Sequence, residues 1–416
     1  MGNQITRVAL PYQVYILTGS TLAVGALTLV QLVPMLVIAL GAGALADAVD
    51  RRRLLIFTEI GLALTSLGLV ALALIPAPPL WAIFLLAAVG AGIAGIDHPA
   101  RAASTPRLVP PERLPAAIAL NQLGFQASSV IGPAIGGLAI ALVGLPGAYA
   151  LDAVSFTASL AALAAMAPIP PLRAAARPGL AAIREGLRYT LGRPIIRSVF
   201  AIDLNAMIFG MPMSLFPALA LDVFHAGPTG VGLLTAAPAA GAFLGALLSG
   251  WVSRIRLIGR AVVVAVLVWG AAITAFGLAV LVLPPGPAFA FSLLFLAVAG
   301  AADVLSAVFR STIVQIETPD ELRGRVMSLY VLVVTGGPRI GDIEAAAVAS
   351  VVGAPLSVLS GGVLCILGVA GVVRGFPALM THVLPPPATQ GSEVGPVHQP
   401  TAIGQDEIPA TDEPAR

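Results

Sequence analysis

Four ionisable residues lie inside long apolar stretches of this chain of 416 residues. Arg7, Asp203, Arg339 and Asp342 are each flanked mainly by Ala, Val, Leu, Ile and Gly. A charged side chain in the apolar core of a bilayer costs about 3 kcal/mol or more, so such residues typically mark substrate, ion or proton paths. Asn205, two residues after Asp203, can add hydrogen bonds. We interpret these five residues as a candidate path for a substrate or for protons; the alternative is a buried ion-pair network that only fixes helix orientation.

Charged pairs near the ends of two other apolar stretches are candidate gate residues. Asp97 and Arg101 are spaced by four residues, which places them on one face of a helix. Asp303 and Arg310 occupy the related end of a later stretch. Pairs that form and break can close one side of a membrane protein. Packing pairs without such a role are the alternative.

The composition places these residues in a membrane protein. Hydrophobic residues make up 58% of the chain and charged residues only 10%, whereas soluble domains carry about 25% charged residues. Such a chain cannot cover a water-facing surface, which excludes a soluble enzyme, a nucleic-acid-binding protein and a disordered scaffold. Cys365 is the only cysteine, so no disulfide or cysteine metal cluster is expected. The scattered histidines predict no metal site, and we expect no cofactor.

Eleven stretches of the sequence are long and apolar enough to cross a bilayer, which takes about 20 residues. They cover residues 22–46, 54–75, 80–96, 115–143, 148–167, 195–221, 231–252, 261–283, 288–308, 326–352 and 356–379. Residues 2–17 are half apolar but too short to span, and we interpret them as the outer part of a helix whose beginning is missing. The sequence therefore predicts an all-α membrane protein with twelve transmembrane helices, the first truncated at Met1.

The basic residues predict the orientation of these helices. All 22 basic residues are arginine, and the loops near residues 19, 77, 145, 227, 285 and 354 contain none of them. Since basic loops stay in the cytoplasm, the intervening loops are predicted to face the cytoplasm, across the cytoplasmic membrane. The predicted order is a six-helix bundle (1–168), a cytoplasmic linker with an amphipathic helix (169–194), a second six-helix bundle (195–384) and a disordered cytoplasmic tail (385–416).

An internal repeat relates the two predicted bundles. The motif Gly-Pro-Ala-Ile-Gly-Gly recurs 205 residues later as Gly-Pro-Arg-Ile-Gly-Asp, in which two small residues have become Arg339 and Asp342. The first copy contributes Gly132, Pro133, Gly136 and Gly137. Proline kinks a helix and glycine lets a neighbouring helix approach closely. This motif predicts a pivot or a tight contact between helices, with simple packing as the alternative.

Three segments resemble the major facilitator superfamily. Residues 43–53 are similar to its loop signature between the second and third helices, with Asp50 in place of a glycine. The motif at 132–137 resembles the end of its antiporter motif. Residues 97–101 and 108–114 resemble the branch of enterobactin exporters, also called transmembrane secretion effectors. The resemblance covers residues 2–380 and implies a major-facilitator bundle of six plus six helices that exports a hydrophobic small molecule, such as a siderophore or a drug, at the expense of the proton gradient.

Other functions stay open at this point. The same fold can serve as an uptake carrier, since fold does not set direction, and a membrane scaffold without transport is a further alternative. The sequence contains no nucleophile elbow, phosphate-binding loop or nucleotide domain, so we do not expect an enzyme. The expected partners are a small-molecule substrate, protons and membrane lipid, with no nucleic acid, and the expected state is a monomer.

Proton coupling requires a carboxylate whose protonation responds to its exposure. Burial favours the neutral form of a carboxylate and a nearby guanidinium favours the ionised form. Asp342 is three residues from Arg339 and can pair with it. Asp203 has no arginine within its own helical turn. The sequence therefore slightly favours Asp203 as the proton carrier and leaves Asp342 to orient Arg339 towards an anionic or polar cargo.

Asp47 and the arginines Arg51 and Arg52 lead to a first testable prediction. A carboxylate that faces basic side chains at a helix end can form a charge network that breaks when the protein rocks; solvated arginines that only set topology are the alternative. We expect Asp47→Asn to lower the maximal transport rate for every cargo alike, because it alters conformational balance. A cargo-selective change of affinity at an unchanged maximal rate would contradict this expectation.

Overall fold

Helices account for all the regular structure that the described residues contain. The computed structural model describes residues 2–169 and 180–383, without the side chains of residues 39–48, 180–183 and 253. The long helices are α1 (Gly2–Thr18), α2 (Thr21–Ala48), α3 (Arg51–Ala73), α4 (Leu80–Leu108), α5 (Leu114–Ala165), α6 (Leu180–Gly192), α7 (Pro194–Phe209), α8 (Gly227–Leu247), α9 (Ile258–Val282), α10 (Pro285–Ile316), α11 (Asp320–Val352) and α12 (Ala354–Gly375). The predicted tail lies outside the described residues.

The predicted membrane spans are recovered with one merger and one break. Ten segments are long and apolar enough to cross a membrane, and one of them contains α5, whose 52 residues exceed one crossing. Gly144 interrupts α5 with a φ of 70°, a conformation that glycine adopts without a steric cost. The chain folds back there, because Gly136 lies against Ile5 of α1 and Asp152, sixteen residues later, accepts a hydrogen bond from the neighbouring Thr6. The all-α membrane fold is confirmed, and the number of twelve crossings is supported approximately.

The span predicted at 195–221 is not one continuous helix. α7 ends at Phe209, and three short helical turns follow, at Met213–Leu215, Phe216–Ala218 and Leu219–Val223. Gly210 and Pro212 account for the break, since glycine weakens a helix and proline cannot donate to its hydrogen-bond ladder. The break leaves backbone N–H groups without a helical partner.

Local signals explain several helix starts. The Asp50 side chain accepts a hydrogen bond from the Arg53 N–H at 2.9 Å and caps α3. This capping role accounts for an aspartate where the resembling signature has glycine. Proline occupies the first turn of α5, α7, α8, α10 and α12, where its missing N–H leaves no helical bond unmade.

The repeated motif packs in the same way in both halves. A Cβ atom on Gly136 would lie 3.0 Å from the Ile5 Cα of α1, and one on Gly341 would lie 3.2 Å from the Ile208 Cα of α7. The next positions meet the other half of the chain: Gly137 approaches Gly232 of α8, and Asp342 approaches Gly25 of α2. The prediction of tight helix contacts at this motif is confirmed. The two contacts with the other half differ, because the first is formed by two glycines and the second includes the aspartate Asp342.

The two ends of the protein are packed differently. At the end without arginine, the main apolar cluster joins residues of α1, such as Val14, to residues of the segment after α7, such as Leu219. At the arginine-bearing end, no residue from 111 to 127 is buried, although α5 contains buried residues from Gly132 onwards. A helix inside a closed bundle would bury one face over its whole length. The space beside α5 is therefore open at the arginine-bearing end and closed at the opposite end.

The glycine contact between α5 and α8 generates a second prediction. Gly137→Val should lower the free energy of unfolding by about 1–3 kcal/mol, because the added atoms force two close backbones apart. The matched control is Gly124→Val in the same helix, where a Cβ atom would meet nothing within 4 Å. Thermal unfolding of the two purified variants measures the difference. Equal losses of stability would contradict the prediction, because they would show that only helix propensity changed and that the close contact between α5 and α8 does not limit the size of residue 137.

Candidate functional site

Arg7, Arg339 and Asp342 come together between the two halves of the chain. Arg7 lies on α1 about 15 Å from the outer helix end, at about 1.5 Å per residue, and its Nη2 is 3.9 Å from the Met213 Sδ. Arg339 Nη1 donates to the Gln31 Oε1 of α2 at 3.1 Å. Asp342 interacts electrostatically with both arginines. The structure brings these three of the five predicted path residues together, and their role in a substrate or proton path stays a prediction.

Asp342 does not form the local ion pair with Arg339 that its spacing predicted. Its Oδ1 accepts a hydrogen bond from the Ser214 N–H at 2.8 Å, and its backbone oxygen accepts one from the Ser214 hydroxyl at 2.8 Å. Ser214 lies in the first turn after the break in α7, where backbone N–H groups have no helical partner. The carboxylate therefore caps this turn and ties α11 to the segment between α7 and α8.

A second charged cluster, which we call the Arg310 triad, contains Asp203, Asp303 and Arg310. Arg310 Nη1 lies 2.6 Å from the Asp203 Oδ1, and both side chains are at most 1% exposed. Arg310 Nη2 lies 3.3 Å from the Asp303 Oδ1, and the Asp303 side chain is 32% exposed. Tyr330 of α11 interacts electrostatically with Arg310. The predicted Asp303–Arg310 pair is present as a contact. Asp203 has no arginine within its own helical turn, but Arg310 reaches it from another helix, and its role as proton carrier stays a prediction.

A third cluster, the Arg101 triad, lies in the first half of the chain. Arg101 Nε is 3.1 Å from the Asp97 Oδ2, and the same guanidinium pairs with Glu59. Thr58 donates to the Asp97 Oδ1 at 2.9 Å, and Ser159 donates to the Glu59 Oε1 at 2.8 Å. The predicted Asp97–Arg101 contact is confirmed. Glu59 of α3 is the second carboxylate of this triad.

The two triads share a composition and a position in the repeat. Each contains two carboxylates and one guanidinium, so each carries a net charge of −1 when all groups are ionised. Asp303 follows Asp97 by 206 residues, close to the offset of the glycine motif. The arginines do not correspond, and their exposure differs, at 49% for Arg101 and 1% for Arg310. Of the two guanidinium groups, only that of Arg310 is fully buried.

The basic residues after α2 bind other helices. Arg52 Nε and Nη2 donate to the Leu163 and Ala164 carbonyl oxygens, at 2.8 and 2.7 Å, near the end of α5. Arg51 Nη1 donates to the Ala103 oxygen of α4 at 2.9 Å. Arginine favours such sites because the last carbonyl groups of a helix lack partners. The interpretation of Arg52 as merely solvated was wrong, and the predicted partner Asp47 lies outside the described side chains.

Asn205 does not line the open space. Its Nδ2 donates to the Cys365 carbonyl oxygen at 2.8 Å, and the residue is buried between α7 and α12. The structure does not place Asn205 in the predicted path, because its side-chain amide forms a hydrogen bond between two helices. Gln31, Ser214 and Tyr330 were missed by the sequence reasoning. Gly210 and Pro212 were the signal that could have found Ser214.

Two polar contacts join the two halves at the closed end. The Tyr15 hydroxyl of α1 donates to the Asp222 Oδ2 in the segment between α7 and α8. Tyr15 is buried and Asp222 is exposed. Thr21 of α2 adds a 3.3 Å bond to the Ala346 carbonyl oxygen of α11. Both contacts must break if this end opens.

The fold is that of the solved major-facilitator-type transporters. A POT family transporter in complex with 5-aminolevulinic acid matches with a TM-score of 0.71 and 10% identity, over 91% of this chain and 94% of that chain. The nucleoside transporter NupG matches with a TM-score of 0.67 and 14% identity, over 91% and 95%. An inward-facing bacterial homolog of the human lysosomal transporter Spinster matches with 0.61 and 14%, over 92% and 99%. Identities this low show the fold alone.

Sequence similarity defines the family. The chain belongs to the transmembrane secretion effector family of the major facilitator superfamily, whose sequence profile matches residues 1–381. The enterobactin exporters EntS of Citrobacter koseri, Shigella boydii serotype 18 and Escherichia coli O127:H6 are each 30% identical to it over 334 residues, which are 80% of this chain and 78% of those proteins. The protein is a multi-pass membrane transporter and not an enzyme, and these relatives support a role in efflux.

The contact between Tyr15 and Asp222 generates a third prediction. Tyr15→Phe removes one hydrogen bond to a carboxylate, worth about 1 kcal/mol for a partly exposed pair, and should raise the population opened at this end about fivefold. Leu219→Cys, fully buried in the closed apolar cluster, serves as the reporter, and its labelling rate by an impermeant maleimide is measured. Tyr12→Phe is the matched control, since its hydroxyl has no hydrogen-bond partner among the described residues. Identical labelling rates in the two variants would contradict the prediction.

Proposed function

We propose that the protein is a proton-coupled antiporter that exports a hydrophobic small molecule, such as a siderophore or a drug, across the cytoplasmic membrane by alternating access. The observation that carries the proposal is the space beside α5, which is open at the arginine-bearing end. At the other end it is closed by the helix contacts of Gly137 with Gly232 and of Gly25 with Asp342. With the arginine-bearing loops in the cytoplasm, cargo enters from the cytoplasm. The relatives named as enterobactin exporters favour the outward direction.

In this mechanism the predicted bundles, residues 1–168 and 195–384, rock against each other as a monomeric carrier. The contacts between the bundles at the closed end are backbone-close, at Gly137 with Gly232 and at Gly25 with Asp342. Close-packed interfaces of this kind have discrete arrangements and do not deform continuously. Opening of the outer end separates these crossings, while the exposed stretch of α5 closes against the opposite bundle.

The coupling proton is assigned to the Arg310 triad. Asp203 and Asp303 share one guanidinium, so one carboxylate charge has no cation to balance it. An unbalanced charge is costly in a medium of low dielectric constant, and one bound proton removes it. Tyr330 is the other titratable group beside Arg310. Asp303, which is 32% exposed, gives protons access to the sealed Asp203, and the triad replaces the isolated Asp203 of the sequence hypothesis.

The fourth prediction tests this assignment in inverted vesicles. Asp203→Asn and Asp303→Asn should each abolish proton-driven accumulation of enterobactin, the compound for which the relatives are named, because the remaining carboxylate and Arg310 balance each other. Exchange of labelled for unlabelled enterobactin without a proton gradient should persist in both variants. The matched control is Asp320→Asn, an 80% exposed carboxylate in a surface pair with Arg323.

Four outcomes decide between the alternatives. Proton-driven accumulation in both triad variants would refute the triad as the proton carrier. Loss only in Asp342→Asn would move the coupling site to the centre of the protein. Transport in the opposite direction by the wild-type protein would identify an uptake carrier. The absence of any transport would favour a scaffold.

A further inference from the structure

We infer that Arg7 and Arg339 form the binding site for an acidic group of the cargo, such as a carboxylate, carried on an apolar or aromatic body. The inference deepens the proposed function, on which it rests, by naming a chemical class for the cargo. It stands on the position of the two guanidinium groups, their lack of an ion-pair partner and the charge balance of the surrounding centre.

Neither guanidinium has a carboxylate at ion-pair distance. Among the described residues, no carboxylate oxygen lies within 4.0 Å of Arg7 or Arg339, whereas Arg101 and Arg310 each contact two carboxylates. Arg7 contacts the Met213 sulfur and Arg339 contacts the Gln31 amide oxygen, both of which are uncharged. Asp342 is the nearest acidic group, but Ser214 holds its Oδ1 through the backbone N–H.

The group of Arg7, Arg339 and Asp342 has the opposite charge balance from the two triads. Two guanidinium groups and one carboxylate leave a net charge of +1 at the depth where charge is most expensive. An unbalanced charge in an apolar interior is normally removed by a partner, a metal or a change of protonation. Arginine does not give up its proton in proteins, so closure of the halves around these groups favours an anion that arrives from outside the chain.

Both arginines are accessible to such an anion. Arg7 is exposed and Arg339 is partly exposed, and their contacts place them at the interface between the halves, where α1 and α2 face α11 and the segment after α7. A carboxylate can accept two hydrogen bonds from one guanidinium and more from two. The two arginines belong to opposite halves and repel each other, so an anion between them removes the repulsion that opposes closure of the halves.

The surroundings of the two arginines fit an apolar cargo body. The Met213 thioether lies against Arg7, and Leu32 of α2 lies 4.0 Å from the Cβ position of Gly336, three residues before Arg339. Methionine adapts its shape to varied apolar ligands. The site thus combines two cationic donors with compliant apolar walls, which suits an amphiphilic organic acid better than a small inorganic anion.

The test compares two probes that differ only in the acidic group. Dansylglycine carries a carboxylate, and dansylglycinamide replaces it with a neutral amide on the same aromatic body. Fluorescence titration of the purified full chain in detergent should give at least about tenfold tighter binding of the acid, which corresponds to about 1.4 kcal/mol. Arg339→Gln and Arg7→Gln should each reduce this preference to about twofold or less, and Arg339→Lys should retain part of it.

The matched control is Arg113→Gln, which removes one exposed arginine from the loop before α5 and should leave the preference unchanged. Size-exclusion profiles show whether each variant is folded, and the retained preference of Arg339→Lys keeps the test valid if a glutamine variant is not. Equal affinity for the two probes, no saturable binding of the acid, or an unchanged preference in both glutamine variants overturns the inference. Because binding needs no gradient, intact acid binding without export would refute the proposed function and leave the anion site standing.

Discussion

The cost of an unbalanced charge in an apolar interior governs the arrangement of this protein. Its charged residues are few, at 10% of the chain, and three groups of them lie within the long helices. Two groups hold two carboxylates around one guanidinium, in Glu59, Asp97 and Arg101 and in Asp203, Asp303 and Arg310. The third, between the halves, has an excess of guanidinium. Each imbalance is a place where a proton or an anion lowers the energy of the protein.

These imbalances also give the proposed transport cycle a consistent electrical direction. Export of an anion in exchange for an inward-moving proton carries two units of charge in the direction that an inside-negative potential favours. Each unit gains about 2.3 kcal/mol per 100 mV. In this proposal the proton and the anion bind at different clusters, so their exchange depends on the movement of the halves and not on direct competition. The close crossings at Gly137 and Gly25 connect the clusters to that movement.

The sequence predicts the parts of this account that depend on composition and on spacing along one helix. The length of the apolar stretches predicts the membrane-spanning helices. The repeated glycines predict the close helix–helix contacts at Gly136 and Gly137, and the spacing of Asp97 and Arg101 predicts their contact. Contacts between helices are not encoded in this way. Arg310 lies 107 residues from Asp203, and no local pattern relates them. The Ser214 hydrogen bond depends on a helix break, for which Gly210 and Pro212 are a readable but unspecific signal.

Reciprocal movement of the two ends is the central claim, and electron paramagnetic resonance distances between spin labels test it directly. One pair, Gly124→Cys with Gly324→Cys, marks α5 and α11 at the arginine-bearing end, where neither glycine has a neighbour within 4 Å of its Cβ position. A second pair, Leu22→Cys with Val351→Cys, marks α2 and α11 at the opposite end, where the two residues are 50% and 83% exposed. The native Cys365 is fully buried and stays unlabelled. Alternating access predicts that any ligand or change of proton concentration that shortens the first distance lengthens the second. Distances that change in the same sense, or do not change under any of these conditions, would contradict it.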